Sequence, residues 1–192
     1  MSDKPVLITM IKKSLDDIID VPFADGYTMR RYAKGDRDMW IALYDRLDEY
    51  YHVTPKDFDE SYGDDRDEIG KYVYFLMHEG KEIGTVANWP EPDMNGQKTG
   101  RVHWLGVEDG HRGKHLGAAM LSFILQDMKQ QGCTQSILGT MNRRVAALNL
   151  YFKFGFEAIV YTDQWSAIDD QSEAWSALKD TMPKEYQGMI NI

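Results

Sequence analysis

A chain of 192 residues with 43% hydrophobic content and one cysteine is long enough for a single domain with a sizeable core, and it excludes an intrachain disulfide or a Cys-based metal cage. Its 31 acidic residues against 22 basic ones, a formal net charge of −9, argue against nucleic acid as a main partner, because phosphate binding needs a wide basic face. No window approaches the ~20 consecutive apolar residues of a membrane span, and Lys12, Lys13, Asp16 and Asp17 interrupt the N-terminal stretch before a signal-peptide core forms.

The expectation is a soluble cytoplasmic protein that makes no membrane contact, with Cys133 a small buried residue in a reducing compartment. In chain order, YTMRRY (27–32) reads as a strand, and residues 36–51 as an amphipathic helix with Trp40, Leu43, Tyr44 and Leu47 on one stripe. The carboxylate-dense run DFDESYGDDRDEIG (57–70) reads as a solvated loop or helix end, or as a patch that draws in a cationic substrate. Residues 72–89 form a hairpin around EGKE, and GRVHWLGV (100–107) is a further strand. A turn at Asp109-Gly110 leads into a helix from about 113 to 131, with Leu116, Met120, Phe123, Ile124 and Met128 at three- and four-residue spacings and Gly132 as its stop.

A strand at 134–140, a short helix at 143–155 and a strand at 156–162 follow. Beyond them only one short helix, around 170–180, and a polar tail are legible. The alternation predicts an α/β (α+β) fold, a mixed sheet with helices on both faces. With no repeat or long linker, residues 1–192 form one domain: a core of about 27–163, a lead-in of 1–26 and an extension of 164–192.

The stretch VEDGHRGKHLGA (107–118) gathers His111, Arg112, Lys114 and His115 at a strand–turn–helix junction of this acidic chain. A helix N-terminus presents free backbone N–H groups and a partial positive charge, which together attract anions. Gly113 and Gly117 would let phosphate oxygens approach the backbone, and Arg112 and Lys114 add formal charge. A pyrophosphate fits this description; a purely steric turn with solvated cations fits it too. Two familiar phosphate loops do not match: Glu108 and His115 stand where a Walker A loop needs Gly and Ser or Thr, and Gly110, Gly113 and Gly117 lack dinucleotide spacing.

Arg112 to Gly117 resembles the pyrophosphate loop of the GNAT superfamily of acetyl-CoA-dependent N-acetyltransferases, Gln/Arg-x-x-Gly-x-Gly/Ala, with His115 in place of the first glycine. NRRVAALNLYFKFGFE (142–157) resembles that family's second CoA motif at Ala147, Leu150, Tyr151, Lys153, Gly155 and Phe156. GTVANW and GRVHWLGV are similar to a bacterial subgroup, and the resemblance spans roughly 27–163. It implies a GNAT fold with a mostly antiparallel sheet splayed at its central strands. It also implies acetyl-CoA held by Arg112, Gly113, Lys114, His115, Leu116, Gly117 and Ala118, its pantetheine along the backbone of Leu105, Gly106 and Val107, and Asn142 across the splay.

The implied reaction is acetyl transfer from acetyl-CoA to a primary amine of a small molecule or peptide by direct attack in a ternary complex, without a metal. Tyr151 resembles the family's general acid, which returns a proton to the thiolate. Many members place a carboxylate base on the central strand, and none lies between Arg101 and Val107 here. His103 is the candidate base, because it shares the parity of Leu105 and Val107 and an unperturbed imidazole titrates near ~6.5. A water chain to Glu91 or Asp93 is the alternative. Trp89 and Trp104 are candidates for the wall of an acceptor pocket, or core residues. A different class stays open, a CoA-binding sensor or scaffold with weak catalysis, motivated by His115 and the missing carboxylate. The oligomeric state is open too, a homodimer included.

Overall fold

A computed structural model describes residues 5–48, 51–162 and 168–192. The chain runs β1 (Leu7–Lys12), β2 (Tyr27–Arg31), α1 (Arg37–Leu47), α2 (Pro55–Tyr62), β3 (Val73–His78), β4 (Lys81–Pro90), β5 (Thr99–Val107) and α3 (Leu116–Gln130). It continues through β6 (Gln135–Met141), α4 (Val145–Lys153), β7 (Glu157–Ile159), α5 (Ile168–Lys179) and α6 (Lys184–Gln187). Local chemistry accounts for several boundaries. Pro55 opens α2, where the Asp57 carboxylate accepts the Thr54 N–H at 2.7 Å. Glu79 and Gly80, with φ of 48° and 76°, supply the left-handed pair that a tight β3–β4 hairpin needs.

The seven strands form one sheet in the order β2-β3-β4-β5-β6-β1-β7, and every neighbouring pair is antiparallel except β5–β6. That parallel pair is short: it links Thr99–Val102 to Gln135–Leu138 and stops, so Leu105–Val107 have no ladder partner on the β6 side. The sheet is split there, as the resemblance implied. A hydrophobic core lies on each face. Tyr74, Leu76, Met120, Ile124, Leu138, Leu148 and Phe152 belong to the cluster under α3 and α4. Val73 and Phe75, which alternate with them along β3, join Trp40, Leu43, Tyr44, Phe58 and Tyr62 of α1 and α2 on the other.

The N-terminal lead-in is part of the sheet rather than an approach to it. β1 sits between β6 and β7, with Ile8 and Met10 fully buried. The C-terminal segment is likewise no polar tail: Trp175 and Ile190 are buried in the α3–α4 core, and the Trp175 indole N–H donates to the Ile159 carbonyl at 3.3 Å. Residues 49 and 50, at the end of the expected 36–51 helix, and 163–167, where the extension begins, lie outside the described residues. Among the described residues no helix is long and apolar enough to cross a membrane.

Candidate active site

The split between β5 and β6 is bordered by a distortion of β5. Thr85 pairs with Gly106 but Ala87 pairs with His103, so β5 carries one extra residue, and Trp104 takes it up with φ of 50°. A bulge shifts the alternation of side chains. His103 and Trp104 therefore share the α1–α2 face, where Trp104 packs at 4.6 Å on Tyr44 and His103 at 6.1 Å on Tyr62, while Leu105 and Val107 pack into the α3–α4 core. The expected common parity of His103 with Leu105 and Val107 is thus corrected by the bulge. Gly106 stays free of side chain for a reason: a Cβ there would come within 3.0 Å of Leu47 on α1.

Past β5 the chain makes a 3-10 turn at Asp109–His111, and α3 begins at Leu116, three residues later than the spacing predicted. The delay has a local cause. Gly113 (φ 82°) and His115 (φ 56°) both occupy the left-handed region, which ends helical winding until Leu116. His115 holds the left-handed conformation that a glycine takes most easily. The His111 ring is hydrogen-bonded to the Tyr27 phenol at 2.8 Å, which ties the loop to β2. Arg112 pairs with Asp109 at 2.5 Å, both exposed.

Tyr151 is buried on the α4 side and Tyr44 on the α1 side, yet their phenols lie within electrostatic reach of each other. Groups from opposite faces of a sheet meet this way where the sheet is open. Arg144, from the turn before α4, acts on both phenols. It is paired with Asp48, the C-cap of α1, and also hydrogen-bonds the Tyr44 phenol oxygen. Burial pushes the Tyr151 phenol up to about 12, and Arg144 pulls the other way. Tyr151 is therefore protonated at neutral pH and able to donate. Sequence reading missed Arg144 and Asp48, which lie 96 residues apart and carry no local pattern, and placed Tyr44 only on a buried stripe.

His103 is held neutral. Burial, with Arg101 second, pushes its imidazole down to about 3. Between there and the ordinary ~6.5 the unfolded chain binds a proton that the folded chain refuses, so stability is greatest above that range and falls as pH drops through it. In His103→Gln this loss is removed. Urea midpoints compared at about pH 7.5 and about pH 5 should fall less on acidification in the variant than in the parent, and equal falls would mean the imidazole titrates normally. Both Glu91 oxygens are engaged by Arg101, at 2.6 and 3.1 Å, with the pair almost wholly buried. Asp93 is exposed.

Trp89 and Trp104 are half-buried, Trp89 against Tyr62 at 5.0 Å and Trp104 with its indole N–H donated to Ser61 Oγ at 3.0 Å. The Asn142 side-chain oxygen accepts the Val6 N–H at 3.1 Å, and its own N–H donates to the Val6 carbonyl at 2.9 Å, so this residue pins the start of β1. Much of the acidic run is engaged at home. Asp59 binds Arg37, Asp65 accepts from the Tyr32 hydroxyl and the Gly35 N–H, and Asp67 accepts the Lys34 N–H. Among the described residues no group of three or more His, Cys, Asp or Glu side chains is placed to bind a metal.

Residues 39–156 match the family model described as the acetyltransferase (GNAT) family. N-acetyltransferase 8 of Rattus norvegicus is 31% identical over 107 residues, 55% of this chain and 47% of that one. An uncharacterized N-acetyltransferase of Methanocaldococcus jannaschii is 27% identical over 150 residues, 72% of this chain and 64% of that one. The chain spans about half the length of the mammalian curated relatives it matches. Among solved structures, a GCN5-related N-acetyltransferase from Sphaerobacter thermophilus shares the fold, with a TM-score of 0.64 at 19% identity over 81% of this chain and 50% of that one.

Proposed function

The chain belongs to the acetyltransferase (GNAT) family, and from that membership we propose that it transfers an acetyl group from acetyl-CoA to a primary amine by direct attack within a ternary complex. The observation that carries this reading is the end of the β5–β6 ladder at Val102–Leu138, with the Tyr151 and Tyr44 phenols brought together from the two faces of the sheet. The unpaired edge of Leu105, Gly106 and Val107 receives the pantetheine as an added strand would. Its diphosphate lies at the N-terminus of α3, against the backbone of Gly113, His115, Leu116, Gly117 and Ala118 and the side chains of Arg112 and Lys114. Asn142, just past the end of β6, lies across the split from the same arm while its side-chain oxygen holds Val6.

The acceptor enters from the α1–α2 face, along Trp89 and Trp104. A net charge of −9 favours the approach of a cationic amine, small or peptidic, and offers nucleic acid no partner surface. His103 accepts a hydrogen bond from the arriving N–H. The proton that attack on the thioester frees from that nitrogen passes on to solvent, because burial disfavours a protonated His103, and Tyr151 gives its own proton to the departing sulfur. Because the imidazole is neutral across the working range, a rising limb of kcat/KM near neutrality belongs to the acceptor amine. The single cysteine, Cys133, is buried and free, in keeping with a reducing cytoplasm.

Incubation with acetyl-CoA and a panel of diamines, amino acids and short peptides, read by product mass, tests the reaction; acetylated product supports it, and CoA binding with no product contradicts it. Calorimetry tests the anion loop. Replacing Arg112 by Glu removes a charge-assisted contact worth about 1.5–3 kcal/mol, so acetyl-CoA should bind at least about tenfold more weakly. Asp109→Asn, which frees Arg112 from its ion pair, should bind more tightly than the parent. Unchanged affinity in both variants would remove the loop from the cofactor site.

A further inference from the structure

We propose that Arg144 is a positioning residue for the acid step, a fixed cation that steadies the Tyr151 phenol as it gives up its proton. The inference rests on the reading of Tyr151 as general acid and adds to it a group that is not among the matched positions of either motif. Three observations carry it. Arg144, at the N-cap of α4, reaches Asp48 at the C-cap of α1 and so links elements on the two faces of the sheet. Its guanidinium is immobilised by Asp48, whose side chain is 7% exposed, and by the Tyr44 phenol oxygen that accepts its hydrogen bond. The Tyr151 phenol feels the Arg144 charge directly, and it acts in turn on the Tyr44 phenol that Arg144 binds.

The step in which this matters is the collapse of the tetrahedral intermediate. The carbon–sulfur bond breaks, its electron pair goes to sulfur, and the Tyr151 O–H proton moves to that sulfur to give the CoA thiol. A phenolate remains until it recovers a proton from solvent, matching the one released by the amine nitrogen. In a buried site a bare phenolate is disfavoured, and a cation held nearby lowers the cost of forming it. Asp48 serves by holding that cation in place. Tyr44, bonded to the same guanidinium, fixes its orientation from the opposite face.

Arg144→Gln, Arg144→Lys and the paired Asp48→Asn/Arg144→Gln variant, which leaves no buried carboxylate without a partner, are compared with the parent and with Tyr151→Phe. The reaction read is CoA thiol release from acetyl-CoA, with the fastest amine of the panel or with water as acceptor. Loss of the cation is expected to lower kcat by about tenfold to a hundredfold, a part of the ~10²–10⁴-fold that a positioned acid contributes. The KM for acetyl-CoA should stay within about threefold, and Lys at this position should restore most of the rate. In a Tyr151→Phe background the same Arg144→Gln change should cost less than about twofold, since the proton it assists is gone.

Losses that simply multiply in the double variant would overturn the inference, as would a Lys variant no better than Gln or a fall in kcat matched by lost folded protein. Failure of the underlying reading looks different. In that case Tyr151→Phe alone keeps the parental kcat.

Discussion

Tyr151→Phe is expected to lower kcat by ~10²–10⁴-fold, the usual contribution of a positioned general acid. The change deletes one oxygen and keeps the ring, which is 7% exposed and packs against Phe156 at 5.9 Å, so the fold should be preserved. Acetyl-CoA affinity should change only modestly, because a neutral hydrogen bond contributes about 0.5–1.5 kcal/mol net. The phenol's displacement to about 12 sets the condition of the experiment: across the neutral range the acid form is fully populated, so the loss should be flat with pH. Steady-state rates with both substrates saturating, alongside calorimetry, separate the outcomes. A large loss of binding with normal kcat would make Tyr151 a cofactor clamp, and no change in either would make it a core aromatic.

The second large effect concerns stability and the C-terminal segment. Trp175 has no exposed surface, lies 6.2 Å from Phe152 of α4, and donates its indole N–H to Ile159 of β7. Truncating a buried aromatic to alanine typically costs about 3–5 kcal/mol, through lost burial and the cavity left behind. For a chain of this size that corresponds to a fall in Tm of roughly 6–20 °C. Chemical denaturation of Trp175→Ala should show the loss, with Trp175→Phe recovering part of it. A cost below about 1 kcal/mol would mean that α5 and the residues after it are not docked on the core.

Residues with a local signature were legible in the sequence. The β3–β4 hairpin, α3 with its apolar spacing, and the glycine-containing loop at 112–118 appear close to where the pattern put them, because turn chemistry and periodicity are local. β1 was not legible as a strand: it is buried along nearly its whole length, so it lacks the alternation that marks a one-sided strand. The bulge at Trp104 has no sequence sign, since a tryptophan in the left-handed region is held there by its neighbours rather than by its own preference. That one residue decided which way His103 faces.

The ion pair of Arg144 with Asp48 and the low position of the His103 imidazole are products of tertiary burial. Neither spacing nor composition encodes them. The acidic run was legible as charge but not as purpose: Asp57, Asp59, Asp65 and Asp67 mostly organise the α1–α2 corner by binding backbone N–H groups, a phenol and an arginine. The two tryptophans were legible as aromatics, while their shared face depended on the bulge.

The most direct test of the central claim, that acetyl-CoA threads the opening between β5 and β6, is hydrogen–deuterium exchange of the backbone amides with and without acetyl-CoA. Binding should slow exchange at Leu105–Val107, which would gain a strand-like partner, and at residues 113–118, whose N–H groups would meet the diphosphate. The paired stretch Thr99–Val102 and the distant β2–β3 edge should be unaffected. Protection confined to other segments, or saturable binding with no protection at Leu105–Val107, would contradict the account.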